Sequence, residues 1–234
     1  RQMCIRDRYQ YLLFDLDGTL LDFLKSEAVS IREVFQSFGL PHNDAAVQLY
    51  SKINDSYWKR YEKGEIKRSE IFAGRFKTFL AQIGQPGDPQ ALCDAYFLKL
   101  SQSAYLLPGA LPLLQALKGR YTLCAATNGY AVTQHNRLQL SGLKEYFNYL
   151  FISEEMQTKK PDKQFFDLAF GELGCKNPKQ ALMIGDSLSS DIAGGLTAGC
   201  DPCFVNLSGQ SVTPPPGTTY TVTALNQIIP VCGL

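Results

Sequence analysis

The sequence carries almost no net charge, because 23 Lys and Arg residues oppose 22 Asp and Glu residues and leave a formal charge of +1. A nearly neutral chain has no overall field that attracts nucleic acid or a membrane surface. It also lacks an apolar run long enough to span a bilayer. We therefore expect no nucleic-acid polymer and no membrane as partner, and a small anionic ligand would need a local basic site.

Metal-binding cysteine patterns are missing as well. The 7 cysteines include one C-x-x-C pair, Cys200 and Cys203, but no second pair or nearby histidine completes a zinc-binding set. Free thiols in odd number, without a secretory signal, are typical of a reducing compartment. We predict a cytoplasmic protein.

Strand signals are absent between residues 22 and 106, where apolar residues recur at helical spacing and glycines such as Gly39 and Gly84 mark the ends of helices. This stretch predicts a small helical bundle. After Leu107-Pro108-Gly109, strands and helices alternate, which predicts a doubly wound parallel sheet with helices on both faces. The predicted strands of this part are residues 121–126, 149–152, 181–184 and 203–205.

The domain organisation follows from these patterns. The length of 234 residues fits one large domain, or a core with a smaller inserted domain. The charged, aperiodic residues 1–8 read as a disordered or extraneous tail. We predict an α/β core formed by residues 9–21 and 107–234, with residues 22–106 inserted as a helical cap.

One apolar strand ends in two carboxylates. The run Tyr11-Leu12-Leu13-Phe14 stops at Asp15, and Asp17 and Gly18 follow. Residues two apart in an extended segment point the same way, and glycine permits a sharp turn. Two carboxylates at the end of a buried strand are costly unless a divalent cation or a catalytic role compensates. The alternative is a pair of solvated turn aspartates.

Polar residues also follow the other predicted strands, and ligands of open parallel sheets bind beyond the carboxyl ends of the strands. Thr127 can donate to a phosphate oxygen, and Asn128-Gly129 opens a helix whose amides favour an anion. The alternative there is an ordinary capped turn.

Lys160, held out of helical geometry by Pro161, can neutralise a phosphoryl oxygen or a carboxylate nucleophile. The alternatives are a solvated lysine, or Lys159 in its place. Asp186 can complete an oxygen shell for Mg²⁺. Asp191 lies in the first turn of the next helix, where acids are common without any ligand.

Together these residues resemble the four signatures of the haloacid dehalogenase-like phosphohydrolases, in the right order over roughly residues 10–206. The resemblance implies a Rossmann-like core with an inserted helical cap. It further implies the following roles: Asp15 as nucleophile and Mg²⁺ ligand, Asp17 as general acid/base and main-chain ligand, Thr127 and Lys160 as phosphate binders, Asp186 as metal ligand and Asp191 as an outer-shell residue.

A narrower resemblance is to the bacterial pyrimidine 5′-nucleotidases, which hydrolyse nucleoside monophosphates. It covers Thr127-Asn128-Gly129-Tyr130, a segment around His135-Asn136-Arg137-Leu138, and Ile152-Ser153-Glu154-Glu155. In the cap, Trp58 and Tyr61 are also similar. They share one helix face and can stack on a nucleobase, unless they pack in the bundle core. The chain departs from that branch at Gly18, where a glutamate is often found.

The implied protein is a monomer or homodimer that acts on a small phosphorylated metabolite. The alternatives are a phosphatase for phosphoglycolate or a sugar phosphate, a phosphomutase, or a non-catalytic binding module with a decayed site. A dehalogenase is disfavoured, because its reaction has no leaving alkoxide for Asp17 to protonate.

Overall fold

The structure is a computed structural model that describes residues 8–209 and 211–234. The predicted tail falls outside the described residues except for Arg8, which forms an ion pair with Asp201 at 2.5 Å. Contacts divide the chain into two compact units. The sheet unit comprises the chain up to Asp22, Leu106–Ala131 and Ser141–Leu234, and the helical unit comprises Phe23–Tyr105 and Val132–Leu140.

The helical unit contains four consecutive helices that were predicted from apolar spacing. They are α1 (Phe23–Ser37), α2 (Asp44–Glu62), α3 (Arg68–Ile83) and α4 (Pro89–Ser101). Caps define their ends: the Asn43 side chain accepts from Ala46 N at the start of α2, and Gly84 adopts a left-handed conformation at the end of α3.

The interior of the helical unit is rich in aromatic rings. Phe35 of α1 stacks on Phe79 of α3 with ring centroids 4.3 Å apart, and Tyr50 of α2 contacts both rings edge-on. These side chains are fully buried and supply the apolar area that stabilises the bundle.

Six parallel strands form the sheet in the order β3-β2-β1-β4-β5-β6. This confirms the predicted doubly wound α/β fold. The strands are β1 (Tyr11–Phe14), β2 (Thr122–Thr127), β3 (Tyr149–Ile152), β4 (Ala181–Gly185), β5 (Asp201–Val205) and β6 (Tyr220–Val222). The remaining helices are α5 (Ala110–Leu117), α6 (Ala131–Leu140), α7 (Ser153–Met156), α8 (Lys163–Leu173), α9 (Ala193–Ala198) and α10 (Ile228–Val231).

The central strand β1 is buried on both faces, as its unbroken apolar sequence predicts. Leu13 faces a cluster that includes Met183 of β4 and Phe166 of α8, whereas Leu12 and Phe14 point to the opposite face and are equally inaccessible. This packing fixes the position of the residue that follows β1.

Helix α6 connects β2 to β3 along the chain, yet residues 132–140 group with the helical unit. Arg137 explains the grouping: its buried guanidinium donates through Nε to the Ser103 carbonyl at 3.1 Å and lies 6.0 Å from the Phe23 ring centroid. The division predicted from the sequence differs from the two units in this segment. Across the described residues, none of the helices is sufficiently long and apolar to cross a lipid bilayer.

Candidate active site

The strand order reverses between β1 and β4, and such a reversal opens a crevice beyond the carboxyl ends of the strands. Phe14 of β1 is in register with Ile184 of β4, and Asp15 N donates to Ile184 O at 2.8 Å. Asp15 and Asp186, which follow these two strands, therefore lie at the same edge of the sheet.

Three carboxylates converge there. Asp15, Asp186 and Asp191 each offer an oxygen, and these three atoms lie within 4.8 Å of one another. Burial, together with Asp191 and Asp186, raises the pKa of Asp15 well above its ordinary value despite the opposing effect of Lys160. Asp186 reaches solvent on one side, but the surrounding protein and the Asp191 carboxylate raise its pKa to about 7. Negative charge is crowded at this point.

Lys160 supplies the positive charge inside the cluster. Its side chain is 1% exposed, and Nζ donates to Asp15 Oδ1 at 2.8 Å, Asp191 Oδ1 at 2.6 Å and the Ala126 carbonyl at 2.6 Å. Burial alone would lower the pKa of Lys160, but the two carboxylates outweigh it and hold the pKa above its ordinary value. The lysine is therefore a charged interior group and not a solvated surface residue.

Asp17 lies two residues beyond Asp15 in a turn closed by a hydrogen bond from Gly18 N to Leu21 O at 2.9 Å. It is partly exposed, whereas Asp15 is buried. The two carboxylates thus differ in environment, which is what separate nucleophilic and acid/base roles require.

Thr127 ends β2 and is buried. Its Oγ1 accepts a hydrogen bond from Gly129 N at 3.1 Å, so the hydroxyl proton is directed away from that amide. A hydroxyl group can donate one hydrogen bond while it accepts another.

Asn128 uses its side chain in a way that the sequence did not suggest. Nδ2 donates to Lys160 O and Oδ1 accepts from Lys160 N, both at 2.9 Å. The side-chain amide of Asn128 is therefore joined to the backbone of the lysine, whereas the predicted phosphate contact concerns the main-chain amides of Asn128 and Gly129.

The first amide of helix α6 has an acceptor within the protein. Helix α6 begins at Ala131, whose N–H donates to Glu154 Oε2 at 2.7 Å. The predicted phosphate contact concerns the amides of Asn128 and Gly129, which precede the helix.

Two glycines permit the close packing of the carboxylates. A Cβ at Gly18, where φ is +86°, would lie 2.3 Å from Asp186 Oδ2, and a Cβ at Gly185 would lie 2.1 Å from Asp191 Oδ2. Only glycine fits at either position. In the sequence, the signal for this close packing is that Gly18 follows Asp17 and Gly185 precedes Asp186.

Two further polar groups, which sequence reasoning missed, hold these aspartates. Thr19 Oγ1 donates to Asp186 Oδ1 at 3.4 Å, and Ser187 N donates to Asp191 Oδ2 at 3.0 Å. Thr19 belongs to the string that carries the family resemblance, whereas the amide of Ser187 has no sequence signal.

Trp58 and Tyr61 lie on α2 of the helical unit, both half-buried. Their ring centroids are 5.9 Å apart in an edge-to-face arrangement. Neither belongs to the buried aromatic interior, against which the neighbouring Tyr57 does pack. Core packing, the alternative considered for this pair, therefore describes Tyr57 better than either of them.

Comparison with known proteins identifies the family. A sequence model of the haloacid dehalogenase-like hydrolases matches residues 9–199. The pyrimidine 5′-nucleotidase PynA of Streptococcus pneumoniae is 40% identical over 85% of this chain and 84% of its own length. The pyrimidine 5′-nucleotidase YjjG of Escherichia coli is 30% identical over 94% of this chain and 96% of its own.

A solved structure agrees with these sequence matches. The HAD-hydrolase YfnB of Bacillus subtilis, in a crystal form bound to magnesium, superposes with a TM-score of 0.92 at 33% identity, covering 97% of this chain and all of the other. The predicted resemblance, both to the family and to its pyrimidine 5′-nucleotidase branch, is confirmed. The chain belongs to the haloacid dehalogenase-like hydrolases.

Proposed function

We propose that this hydrolase is a Mg²⁺-dependent phosphatase that cleaves nucleoside 5′-monophosphates through an aspartyl-phosphate intermediate on Asp15. One observation carries the proposal: the buried Asp15 carboxylate, paired with the Lys160 ammonium at 2.8 Å, lies two residues before the more exposed Asp17. A held nucleophile beside a separate acid is the arrangement that two-step phosphoryl transfer needs.

The residues at the strand ends fit a divalent cation. Burial, and after it the neighbouring carboxylates, raises the pKa of Asp15 and of Asp186; a cation would stabilise both ionised groups, and carboxylate oxygens are ligands that Mg²⁺ prefers. Asp15, Asp186 and the main-chain oxygen of Asp17 would hold it. When bound, Mg²⁺ screens the repulsion between a phosphoryl group and the carboxylate nucleophile.

Asp191 suits an outer position around that cation. Its Oδ1 accepts from Lys160 Nζ at 2.6 Å and its Oδ2 accepts from Ser187 N at 3.0 Å, so both oxygens already have donors. A water-mediated contact agrees with that arrangement better than direct ligation.

In the first chemical step, a carboxylate oxygen of Asp15 attacks phosphorus in line with the ester oxygen. The oxygen–phosphorus bond to Asp15 forms as the ester bond breaks, and Asp17 gives its proton to the leaving alkoxide. Thr127 binds a phosphoryl oxygen, and Lys160, whose three donors go to Asp15, Asp191 and the Ala126 carbonyl, contributes its positive charge beside the phosphoryl group. The Lys160 ammonium also favours the ionised form of Asp15.

In the second step, Asp17 takes a proton from water and the resulting hydroxide attacks phosphorus. Inorganic phosphate leaves, and Asp15 and the protonated Asp17 are regenerated. This use of Asp17 distinguishes a phosphatase from a dehalogenase, which has no alkoxide to protonate.

The substrate class rests on two supports. PynA and YjjG are named as pyrimidine 5′-nucleotidases, and both match most of this chain. Trp58 and Tyr61 offer half-buried rings outside the bundle interior, on which a nucleobase gains stacking energy, whereas a glycolate or a simple sugar gains little.

The test is phosphate release from a panel of phosphomonoesters, with Mg²⁺ or with a chelator. The panel contains pyrimidine and purine nucleoside 5′-monophosphates, phosphoglycolate, glucose 6-phosphate and p-nitrophenyl phosphate. We expect the highest kcat/KM for a pyrimidine nucleotide and no turnover in chelator. A preference for phosphoglycolate or glucose 6-phosphate would indicate a phosphatase for phosphoglycolate or a sugar phosphate instead. No phosphate release from any ester would indicate a non-catalytic binding module.

Asp15→Asn is the matched control for that panel. Loss of the nucleophile should lower kcat by several orders of magnitude while the circular dichroism spectrum stays native. If the variant keeps more than about a tenth of the activity, Asp15 does not carry the reaction.

A further inference from the structure

We propose that Asn128 is a positioning residue that holds the backbone of Lys160 so that the ammonium reaches Asp15. Both polar atoms of the Asn128 amide are engaged by that backbone, each at 2.9 Å. The side chain acts through the lysine, and its role is distinct from direct phosphate binding. Where activity is concerned, the inference rests on the proposed phosphatase function.

The geometry at Lys160 shows why its backbone must be held. Nζ meets three acceptors at 2.6–2.8 Å that come from three parts of the sheet unit: Asp15 after β1, Ala126 in β2 and Asp191 after β4. An ammonium with three donors used has no spare direction. Because the group is buried, loss of one acceptor cannot be replaced by water without cost.

Asn128 suits this role because its hydrogen bonds are reciprocal. Nδ2 donates to the carbonyl of Lys160 while Oδ1 accepts the amide N–H of the same residue, so the two bonds fix both its position and its orientation. Asn128 follows directly after β2, so its side chain anchors the loop that carries Lys160 to the end of a strand of the sheet.

A second hydrogen bond between the segments that follow β2 and β3 provides a control. Glu154 Oε2 in helix α7 accepts from Ala131 N, the first residue of helix α6, at 2.7 Å, and so joins these two segments at a point away from Lys160. If any hydrogen bond between these two segments were sufficient to hold Lys160 in place, Glu154→Ala and Asn128→Ala would have similar effects. If the backbone of Lys160 must be held by Asn128 itself, only Asn128→Ala should disturb the ammonium.

The decisive measurement is the ¹⁵N–¹H spectrum of lysine ammonium groups in ¹⁵N-labelled protein. A buried ammonium with three acceptors exchanges slowly with water, so Lys160 should give a resolved signal, identified by its loss in Lys160→Met. We expect that signal to disappear or shift in Asn128→Ala and to stay unchanged in Glu154→Ala. An unchanged signal in Asn128→Ala overturns the proposal, as does equal disturbance in both variants.

Activity gives the second readout. With the preferred phosphomonoester and Mg²⁺, kcat should fall by about tenfold or more in Asn128→Ala and by less than about threefold in Glu154→Ala, at comparable melting temperatures. A loss confined to KM and to inhibition by inorganic phosphate, with the ammonium signal intact, would make Asn128 a phosphate ligand instead. If the wild-type protein hydrolyses no ester, the proposed function fails, but the spectral test of Asn128 is unaffected.

Discussion

Two buried aspartates of the sheet unit have opposite electrostatic environments. Burial and neighbouring carboxylates raise the pKa of Asp15 above its ordinary value despite Lys160. Burial acts in the same direction on Asp201, but hydrogen bonds from Lys179 and Tyr9 and the charge of Arg8 outweigh it and hold the pKa below its ordinary value. The protein's own donors therefore compensate the charge of Asp201, whereas Lys160 only partly offsets the burial and the negative charge around Asp15, as is common at functional sites.

Asp201→Asn tests this contrast through acid stability. The lowered folded-state pKa means that the unfolded chain binds more protons in acid, so the stabilisation from Asp201 is present above about pH 4 and is lost as pH falls further. We expect the substitution to lower the free energy of unfolding by about 1–3 kcal/mol at pH 7. The difference from wild type should shrink towards pH 3. Urea denaturation at several pH values measures it, and a constant difference across that range would contradict the assignment.

Some residues of the candidate site could be identified from the sequence, whereas the contacts of others could not. Asp15 and Asp186 could be identified because each directly follows an apolar strand, and Asp17 because it lies two residues after Asp15. The burial of Lys160 could not, because a lysine before a proline is usually solvated, and its acceptors come from three distant segments of the chain. The reciprocal bonds of Asn128 depend on the same long-range packing.

At the level of helices and strands, periodicity predicted most of the fold. The bounds of α2 and α3 follow from apolar spacing and from caps such as Gly84. The last strand, β6, was missed because its sequence, Tyr220-Thr221-Val222, is too short to show alternation. Helix α5 was missed because its sequence is almost uniformly apolar and has no polar face.

Helix α2 carries a prediction of its own, because three neighbouring aromatic residues on it have different surroundings. Trp58 and Tyr61 lie outside the buried interior, while Tyr57 packs against it and bonds to Thr78 Oγ1 at 2.9 Å. If the outer pair contacts a nucleobase, Trp58→Ala or Tyr61→Ala should lower kcat/KM for a nucleoside monophosphate by about tenfold, in line with a stacking loss of about 1–3 kcal/mol. Hydrolysis of p-nitrophenyl phosphate should barely change.

Tyr57→Ala is the control for that experiment. It should lower the melting temperature and affect both substrates alike, since it removes a core contact. If Trp58→Ala and Tyr61→Ala behave in the same way as Tyr57→Ala, these two aromatic residues stabilise the helical unit and do not contact the nucleobase.

For the whole molecule, the proposed cation site predicts stabilisation by Mg²⁺. A ligand that binds only the folded state at a hundred times its Kd adds about 2.7 kcal/mol, so the melting temperature should rise with Mg²⁺ concentration. Asp186→Asn should abolish most of that rise. Asp167→Asn, on the exposed side of α8 and paired with Lys163, should leave it intact. A rise that persists in Asp186→Asn would place the ion elsewhere.

The position of β1 in the sheet has a consequence for the order in which the chain is made. Its hydrogen-bonding partners, residues 122–125 of β2 and 181–184 of β4, leave the ribosome only after all four helices of 23–105. Those helices pack on one another within residues 23–105 and can form before the sheet, whereas the apolar strand Tyr11–Phe14 has no strand to pair with until β2 is synthesised. A nascent chain shorter than about residue 186 contains Asp15 but not the carboxylates of Asp186 and Asp191. Asp15 is therefore synthesised well before the residues that complete its native surroundings.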